Sequence, residues 1–184
     1  RSIVIADAKR GDIGNTSNSY SQAIFDYYDF DAITIAPYMG TDSIAPFIKR
    51  AEKGVYLLCL TSNPSAIDFQ YKLSNGSHLY EDVAKLAESL NTKNNLGLVV
   101  GATKGSEMNK IRQIAPSLSW LIPGIGAQGG NLEDSVNISN KGSASGIINI
   151  SRSIIYAKNQ SLEDIRKAAI DYNKNINKFL KINE

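Results

Sequence analysis

Six short apolar runs alternate with helical patterns along this chain of 184 residues. The runs are rich in Ile, Val and Leu, which is typical of parallel strands that are buried on both faces. Strict alternation of strand and helix predicts an α/β fold with a parallel sheet, because the chain must cross back over the sheet before each new strand. The predicted strands are residues 3–7, 32–35, 55–60, 96–100, 120–122 and 146–150.

Apolar side chains recur at three- and four-residue intervals between these runs, which predicts helices. Five helices are expected around residues 20–28, 44–51, 79–90, 108–114 and 132–138, and a sixth begins after Ser161 as its N-cap. Pro46 fits only the first turn of the second helix. A long polar loop is expected from residue 61 to 77, and the Asn- and Lys-rich tail from residue 173 to 184 is expected to fray.

Composition and charge argue against several classes of function. Twenty basic and 18 acidic residues give a net charge of +2, which indicates no affinity for nucleic acid or membrane, and no apolar run reaches the ~18 residues of a membrane span. Cys59 is the only cysteine and is expected to be buried. A single cysteine cannot form a disulfide within the chain, which fits a reducing cytosol. His78 is expected to be exposed and has no ligand-type neighbours, so no metal site is predicted. These features predict a cytoplasmic protein in which residues 1–184 form one domain.

The first apolar run ends in a set of alternating charges, Asp7, Lys9 and Asp12. Side chains two residues apart on a strand share a face, so Asp7 and Lys9 should point the same way at the carboxyl end of the strand. Gly11 allows a turn before Asp12. In parallel α/β proteins the chemistry lies at this end of the sheet, where a lysine between carboxylates would stay charged and aimed. The triplet alone is equally typical of a solvated junction between strand and loop.

Later loops contain residue types that suit ligand binding. Ser62 lies in a polar loop after the third strand, and Gly101, after the fourth, is expected only to permit a turn. Residues 123–130 include four glycines, whose backbone N–H groups could approach an anion closely, although such loops are also simply flexible. Arg152 follows the last strand, where a guanidinium could clamp a phosphate or form a surface ion pair.

Together these motifs resemble the orotidine 5′-phosphate decarboxylase family. The resemblance rests on Asp-Ala-Lys-Arg-Gly-Asp-Ile at 7–13, Thr-Ser-Asn-Pro-Ser at 61–65, Val-Val-Gly-Ala-Thr at 99–103, Pro-Gly-Ile-Gly-Ala-Gln-Gly-Gly at 123–130 and Ile-Asn-Ile-Ser-Arg-Ser-Ile at 148–154. The long loop and the last two motifs are similar to those of the mycobacterial and malarial enzymes. The resemblance implies a TIM (β/α)₈ barrel. Because the charged strand is the third in the family, the chain would hold six of the eight β/α units, the C-terminal three quarters of the barrel.

The resemblance also implies a function and a site. The family converts orotidine 5′-phosphate to UMP in pyrimidine synthesis without a metal ion or organic cofactor. Lys9 would donate a proton to C6, Asp7 would lie near the departing carboxylate, and Asp12 would complete the charge array. Further substrate contacts would come from Ile13, Thr16, Ser62, Pro123, Gln128 and Arg152. In the family the residues at the positions of Asp12, Ile13 and Thr16 reach into the neighbouring subunit's site, which implies a homodimer with shared active sites.

Two residues of the family's site have no counterpart in this sequence, namely a lysine from the preceding strand and an aspartate from the first strand. A barrel without its first two units has open edges, so we expect residues 1–184 to be unstable alone. Two other functions stay open. A relative in the same superfamily could decarboxylate a keto-sugar phosphate or catalyse an aldol-type reaction, usually with Mg²⁺, although the Arg-Gly-Asp-Ile sequence at 10–13 argues against it. The chain could also be a non-catalytic, nucleotide-binding barrel fragment.

Overall fold

A computed structural model describes residues 2–102, 105–126 and 129–181. Its strands are β1 (Ile5–Arg10), β2 (Ala32–Ile35), β3 (Gly54–Leu60), β4 (Leu73–Ser74), β5 (Ser77–His78), β6 (Leu96–Val100), β7 (Trp120–Ile122) and β8 (Gly146–Ile148). Six of them form one parallel sheet in the order β1-β2-β3-β6-β7-β8, and β4 pairs with β5 in a small antiparallel hairpin. The six predicted strands and their parallel arrangement are confirmed. The first strand runs on to Arg10 instead of ending at residue 7, and the last ends at Ile148 instead of residue 150.

Helices follow the strands of the main sheet. They are α1 (Gly14–Gln22), which a π-helical turn (Ala23–Tyr27) extends, α2 (Thr41–Ile48), α3 (Leu79–Leu90), α4 (Gly105–Ile114), α5 (Leu132–Ser139), α6 (Arg152–Ile155) and α7 (Leu162–Leu180). Ser161 is the N-cap of α7 as predicted, since its hydroxyl accepts a hydrogen bond from the backbone N–H of Asp164 at 3.1 Å. Among the described helices, none combines the length and apolar character that crossing a bilayer requires.

Several local predictions are wrong. Pro46 is the sixth residue of α2 rather than part of its first turn, and the helix ends two residues later. The region expected to be a loop contains a 3₁₀ helix (Pro64–Asp68) and the β4–β5 hairpin. His78 is half-buried, because its Nδ1 lies 2.7 Å from the Tyr71 carbonyl oxygen and its ring stacks on Tyr80. The tail expected to fray is helical as far as Leu180.

The two faces of the main sheet are packed differently. The outer face carries the larger core, in which Ile33, Leu57 and Leu98 are fully buried against the helices. The inner face carries a smaller cluster formed by Ala32, Tyr56, Val99 and Leu121, with Ile5 and Leu58 at its margin. Cys59 is buried as predicted, and burial raises the pKa of its thiol.

The main sheet curves so that its two edge strands face the same open cavity, of about 270 Å³. The cavity is lined by Ile5 and Asp7 from β1, by Ile147 and Ile148 from β8, and by Leu121 and Asn149. Since β1 and β8 are the two ends of the strand order, their shared cavity indicates a parallel half-barrel. All strands of this sheet are parallel, so their carboxyl ends meet at one mouth.

Candidate active site

An ion pair lies at the mouth of the half-barrel, at the carboxyl end of β1. The Nζ atom of Lys9 is 2.6 Å from Oδ1 of Asp7, and the two side chains are 50% and 56% exposed. The sequence correctly placed both side chains on the same side, but for the wrong reason. The register between β1 and β2 shifts between Ala6 and Arg10, and Lys9 has a φ of 46°, so a β-bulge rather than regular alternation aims the lysine.

Thr34 on β2 contacts this bulge from the neighbouring strand. Its hydroxyl donates a hydrogen bond to Oδ1 of Asp7 at 2.9 Å and accepts one from the backbone N–H of Lys9 at 3.0 Å. The residue is fully buried, at 0% exposure. Sequence analysis missed it, because a threonine within Ala-Ile-Thr-Ile is typical of any strand. The one available signal was its place near the carboxyl end of a predicted strand.

The surroundings of Asp7 favour its ionised form. Burial tends to raise the pKa of Asp7, but hydrogen bonds from Lys9 and Thr34 and the charge of Lys9 together hold that pKa below its usual value of 3.8. The site therefore presents a fixed ammonium group beside a fixed carboxylate, with half of each side chain open to a ligand.

Asp12 is not part of this pair. Its Oδ1 accepts a hydrogen bond from the backbone N–H of Ile13 at 2.8 Å, just before α1 begins. Ile13, the N-cap of that helix, and Thr16, in its first turn, are both exposed. Within the described residues of one chain, Lys9 therefore pairs with one carboxylate and not with two, contrary to the expectation of a lysine between two acids.

Ser62 lies against the end of β6. A Cβ atom on Gly101 would be 2.9 Å from the backbone nitrogen of Ser62 and 3.2 Å from its Cβ. Gly101 is therefore needed for close packing, and the expectation that it only permits a turn is wrong. Gln70, which sequence analysis also missed, accepts a hydrogen bond from the backbone N–H of Thr61 at 2.8 Å and donates one to the Thr61 hydroxyl at 2.7 Å.

Pro123 opens the glycine-rich loop after β7. Its carbonyl oxygen accepts a hydrogen bond from the backbone N–H of Ala102 at 2.9 Å, which ties this loop to the end of β6. Gly124 and Gly126 have φ values of 103° and 81°, in the region that favours glycine. Gln128, predicted to contact the substrate, lies outside the described residues.

Arg152 begins α6 next to the glycine-rich loop. A Cβ atom on Gly126 would collide with the side chain of Ser153, so the two segments pack directly together. Arg152 itself is exposed. Asn149, three residues earlier, lines the cavity that also contains Asp7. The structure thus brings the segment that carries Arg152, the glycine-rich loop and the charged end of β1 to the same mouth.

A second cavity has a different lining from the one at the mouth. A larger cavity, of about 460 Å³, has mostly apolar lining residues from β3, α3 and the region between them, among them Leu58, Phe69 and Leu86. None of the site residues predicted from the sequence lines it. In the part of the chain that the structure describes, no three His, Cys, Asp or Glu side chains are placed to hold a metal ion. The mouth of the half-barrel is therefore the better candidate.

A curved parallel sheet of this kind defines a barrel-type α/β protein, a class in which ligand sites lie at the carboxyl ends of the strands. Comparison with known proteins identifies the family. Residues 1–167 match the model of the orotidine 5′-phosphate decarboxylase / HUMPS family, and the chain belongs to this family. The resemblance inferred from the five motifs is confirmed.

Individual relatives support this assignment. The orotidine 5′-phosphate decarboxylase of Dehalococcoides mccartyi is 51% identical over 164 residues, which are 86% of this chain and 61% of that protein. The OMP decarboxylase structure of Leishmania donovani has a TM-score of 0.87 and 39% identity, and the match covers 96% of this chain and 68% of that one. A malarial structure, the orotidine 5′-monophosphate decarboxylase of Plasmodium berghei, has a TM-score of 0.78 and 31% identity over 96% of this chain and 56% of that one. The chain thus spans less than two thirds of the D. mccartyi relative.

Proposed function

We propose that this chain carries the proton-donating part of an orotidine 5′-phosphate decarboxylase, which releases CO₂ from C6 of the orotate ring to give UMP. The observation that carries the proposal is the Asp7–Lys9 pair, 2.6 Å apart on a bulge at the mouth of a curved parallel sheet. The proposal is supported by the family to which the chain belongs, because relatives that match this chain are named orotidine 5′-phosphate decarboxylase.

The proposed reaction needs one well-placed cation. When the bond between C6 and the carboxylate breaks, CO₂ leaves and the electron pair stays on C6, where it is poorly delocalised. The ammonium group of Lys9 would stabilise that charge and then transfer a proton to C6. Lys9 would regain its proton from solvent, since half of its side chain is exposed. This route invokes no metal ion and no organic cofactor.

Asp7 would act beside the departing carboxylate. Its own negative charge could raise the energy of the bound substrate by repulsion, or it could chiefly orient Lys9. The hydrogen bonds that Oδ1 of Asp7 accepts from Lys9 and Thr34 support the orienting role. Asp12 would complete the charge array after assembly with a second subunit.

The remaining site residues would bind the rest of the nucleotide. Ser62 would hydrogen-bond the pyrimidine ring, while Pro123 and Gln128 in the glycine-rich loop, together with Arg152, would hold the phosphate. The contact between Gly126 and Ser153 supports a shared phosphate site, because it brings this loop to Arg152. Phosphate binding at a distance from C6 would supply free energy for closing the loops over the substrate.

A homodimer is part of the proposal. Ile13 and Thr16 are exposed at the start of α1, with Asp12 directly before them, so all three are available to a second copy of the chain. These residues would enter the neighbouring subunit's site, which makes the two sites shared. Sedimentation of the natural full-length protein should then give a dimer, and Ile13→Asp should shift it towards the monomer.

We further propose that the six strands are three quarters of an eight-stranded TIM barrel, with residues 1–184 in a single, cytoplasmic domain. Both edge strands line the cavity of about 270 Å³, and α7 has an apolar stripe but no fully buried residue. Two more β/α units between β1 and β8 would cover these surfaces and supply the lysine and aspartate that the family requires. Residues 1–184 alone should therefore unfold at a lower temperature than the natural full-length protein and bind more of a hydrophobic dye.

The decisive experiment adds orotidine 5′-phosphate to the natural full-length protein and follows the ultraviolet absorbance. We expect a fall in absorbance that EDTA does not prevent. Lys9→Ala should slow turnover by roughly 10⁴-fold, because both the cation and the proton donor are lost, while UMP binding persists. The matched control is Lys85→Ala, since Lys85 forms a surface ion pair with Asp82 at 3.1 Å; its turnover should equal that of the wild type.

Other outcomes would reject parts of the proposal. Full turnover in Lys9→Ala would remove Lys9 from the mechanism. Turnover of a sugar phosphate that EDTA abolishes would favour the related superfamily reactions instead. Binding of UMP without any turnover in the natural full-length protein would favour a non-catalytic, nucleotide-binding barrel.

A further inference from the structure

We propose that Thr34 is a positioning residue for the charged pair, because its buried hydroxyl fixes both the backbone of Lys9 and the carboxylate of Asp7. The inference rests on the decarboxylase function proposed above and adds a residue to its site. Thr34 would not touch the substrate. It would act by keeping Lys9 aimed before the substrate binds.

The first argument is the backbone of the bulge. A bulge leaves backbone groups without partners in the strand ladder. The register between β1 and β2 is broken between Ala6 and Arg10, and the N–H of Lys9 lies within this break. It donates to the Thr34 hydroxyl at 3.0 Å. Because Thr34 is fully buried, a water molecule could not easily replace that acceptor.

The second argument is the direction of the hydrogen bonds. A threonine hydroxyl has one proton to donate and can accept as well. The Thr34 hydroxyl accepts from the Lys9 backbone and donates to Oδ1 of Asp7 at 2.9 Å. That same oxygen accepts a hydrogen bond from Lys9 Nζ at 2.6 Å. The three groups thus form a closed set of contacts, in which Thr34 holds the pair at two separate points.

The third argument is conformational strain. Lys9 has a φ of 46°, a left-handed conformation that is unfavourable for a residue with a Cβ atom. Such conformations persist at functional sites when surrounding contacts hold them in place. Thr34 supplies such a contact, since its hydroxyl binds the N–H of this same residue. Without it, Lys9 would be free to relax and its ammonium group would move.

A purely structural role for Thr34 would be filling space on the strand. It follows Ile33, which packs in the outer core, and it lies opposite Tyr56 in the parallel pairing of β2 with β3. Valine would fill nearly the same volume without the hydroxyl, whereas serine would keep the hydroxyl without the methyl group. The two substitutions therefore separate hydrogen bonding from packing.

The experiment compares Thr34→Val and Thr34→Ser in the natural full-length protein. Thr34→Val should lower kcat by about tenfold, because a small misplacement of the reacting group is costly, while KM and UMP affinity change by less than about threefold. Thr34→Ser should keep most of the wild-type kcat. Ser21→Ala is the matched control, since it removes another buried hydroxyl, which donates to the Pro46 carbonyl at 3.2 Å between α1 and α2; its kcat should not change.

A second measurement does not depend on turnover. The carboxyl carbon of Asp7 can be followed by NMR as the pH is varied. Thr34→Val should raise the pKa of Asp7, because one hydrogen bond to the ionised form is lost, whereas Thr34→Ser and Ser21→Ala should leave it unchanged. If Thr34→Val does not fold, Thr34→Ala also lacks the hydroxyl and replaces it in both measurements.

The outcomes separate this inference from the proposed function. If the wild type did not act on orotidine 5′-phosphate, the decarboxylase function would be rejected. A raised pKa of Asp7 in Thr34→Val would still support the positioning role in that case. Normal wild-type turnover with unchanged kcat and unchanged Asp7 pKa in Thr34→Val would overturn the positioning role alone. Equal losses of kcat in Thr34→Val and Thr34→Ser would assign the effect to packing and would also overturn it.

Discussion

The outer face of the sheet is a closed apolar core, whereas the mouth of the half-barrel keeps its charged groups half exposed. Leu57 and Leu98 are fully buried under the helices, while Asp7 lines an open cavity between the edge strands and forms an ion pair with Lys9. Burial of apolar surface is the dominant favourable contribution to folding. We therefore expect the free energy of unfolding to depend mainly on the outer face and catalytic activity mainly on the mouth. Substitutions at the outer face should change stability and leave activity intact, and substitutions at the mouth should do the reverse.

The largest effect on stability is expected at Arg112, a buried cation on the outer side. Its guanidinium lies 4.0 Å from the centre of the Trp120 ring and donates hydrogen bonds to the carbonyl oxygens of Ala115, Leu118, Ile138 and Ser139. Burial lowers the pKa of Arg112 to about 10, against an opposing effect of Glu88, so it remains charged at neutral pH. Arg112→Met should lower the free energy of unfolding by about 3 kcal/mol or more, because each buried carbonyl group left without its donor costs about 1–3 kcal/mol.

Denaturant unfolding of the natural full-length protein measures this loss. Arg166→Met is the control, since Arg166 is exposed on α7 and its replacement should change the free energy of unfolding by less than about 0.5 kcal/mol. The kcat and KM of Arg112→Met should stay at their wild-type values under conditions where it is folded. If kcat fell in Arg112→Met as much as in a variant at the mouth, the proposed separation between the outer face and the mouth would be wrong.

The next largest effect concerns binding at the mouth. Arg152→Ala should raise KM for orotidine 5′-phosphate by about 30-fold, because a hydrogen-bonded contact between two charged groups is lost. Its free energy of unfolding should hardly change, since Arg152 is exposed. Arg166→Ala, on α7, is the matched control for loss of an arginine. An unchanged KM in Arg152→Ala would remove this residue from the phosphate site.

A smaller effect is expected where the core meets the mouth, at Gly101. A Cβ there would lie 2.9 Å from the backbone nitrogen of Ser62, so the loop that carries Ser62 must move. Gly101→Ala should lower kcat/KM by about tenfold and the free energy of unfolding by about 1 kcal/mol. Gly105→Ala is the control, because the nearest atom to its added Cβ would be 3.9 Å away. Wild-type kinetics in Gly101→Ala would show that the position of Ser62 is not critical.

The outer face could be predicted from the sequence far better than the mouth. Continuous apolar runs placed all six strands, because parallel strands buried on both faces leave that pattern wherever they occur. The β4–β5 hairpin was missed, since two-residue polar strands leave no such pattern. The tail of α7 was predicted to fray on composition, yet Ile176 and Leu180 continue its apolar spacing and the helix persists.

At the mouth, charge could be predicted but geometry could not. Asp7 and Lys9 were found because a charged pair directly after a buried strand is conspicuous. The bulge that aims Lys9 depends on Thr34 from another strand, so no local pattern in β1 reveals it. Asn149 was missed because its place on the cavity depends on how the sheet curves, and Gln70 was missed because its hydrogen bonds to Thr61 depend on how the loop between them folds.

The smallest expected effect tests whether the charged pair contributes to stability at all. The pKa of Asp7 is lower in the folded protein than its usual value of 3.8, so its ionised form favours folding. That contribution is fully present above pH 3.8 and is lost as the pH falls through the folded-state pKa. It should amount to less than about 1 kcal/mol, because the pair is half exposed and screened by solvent.

Asp7→Asn removes this titration while keeping the shape of the side chain. Its free energy of unfolding should be slightly lower than that of the wild type at neutral pH, and the difference should shrink below pH 3.8, where the wild-type carboxylate becomes protonated. Denaturant unfolding at both pH values measures the difference. If Asp7→Asn lost as much stability at neutral pH as Arg112→Met, the mouth would be as important for folding as the outer core. A small loss of stability together with a large loss of turnover would instead mean that the ion pair is maintained for its chemistry.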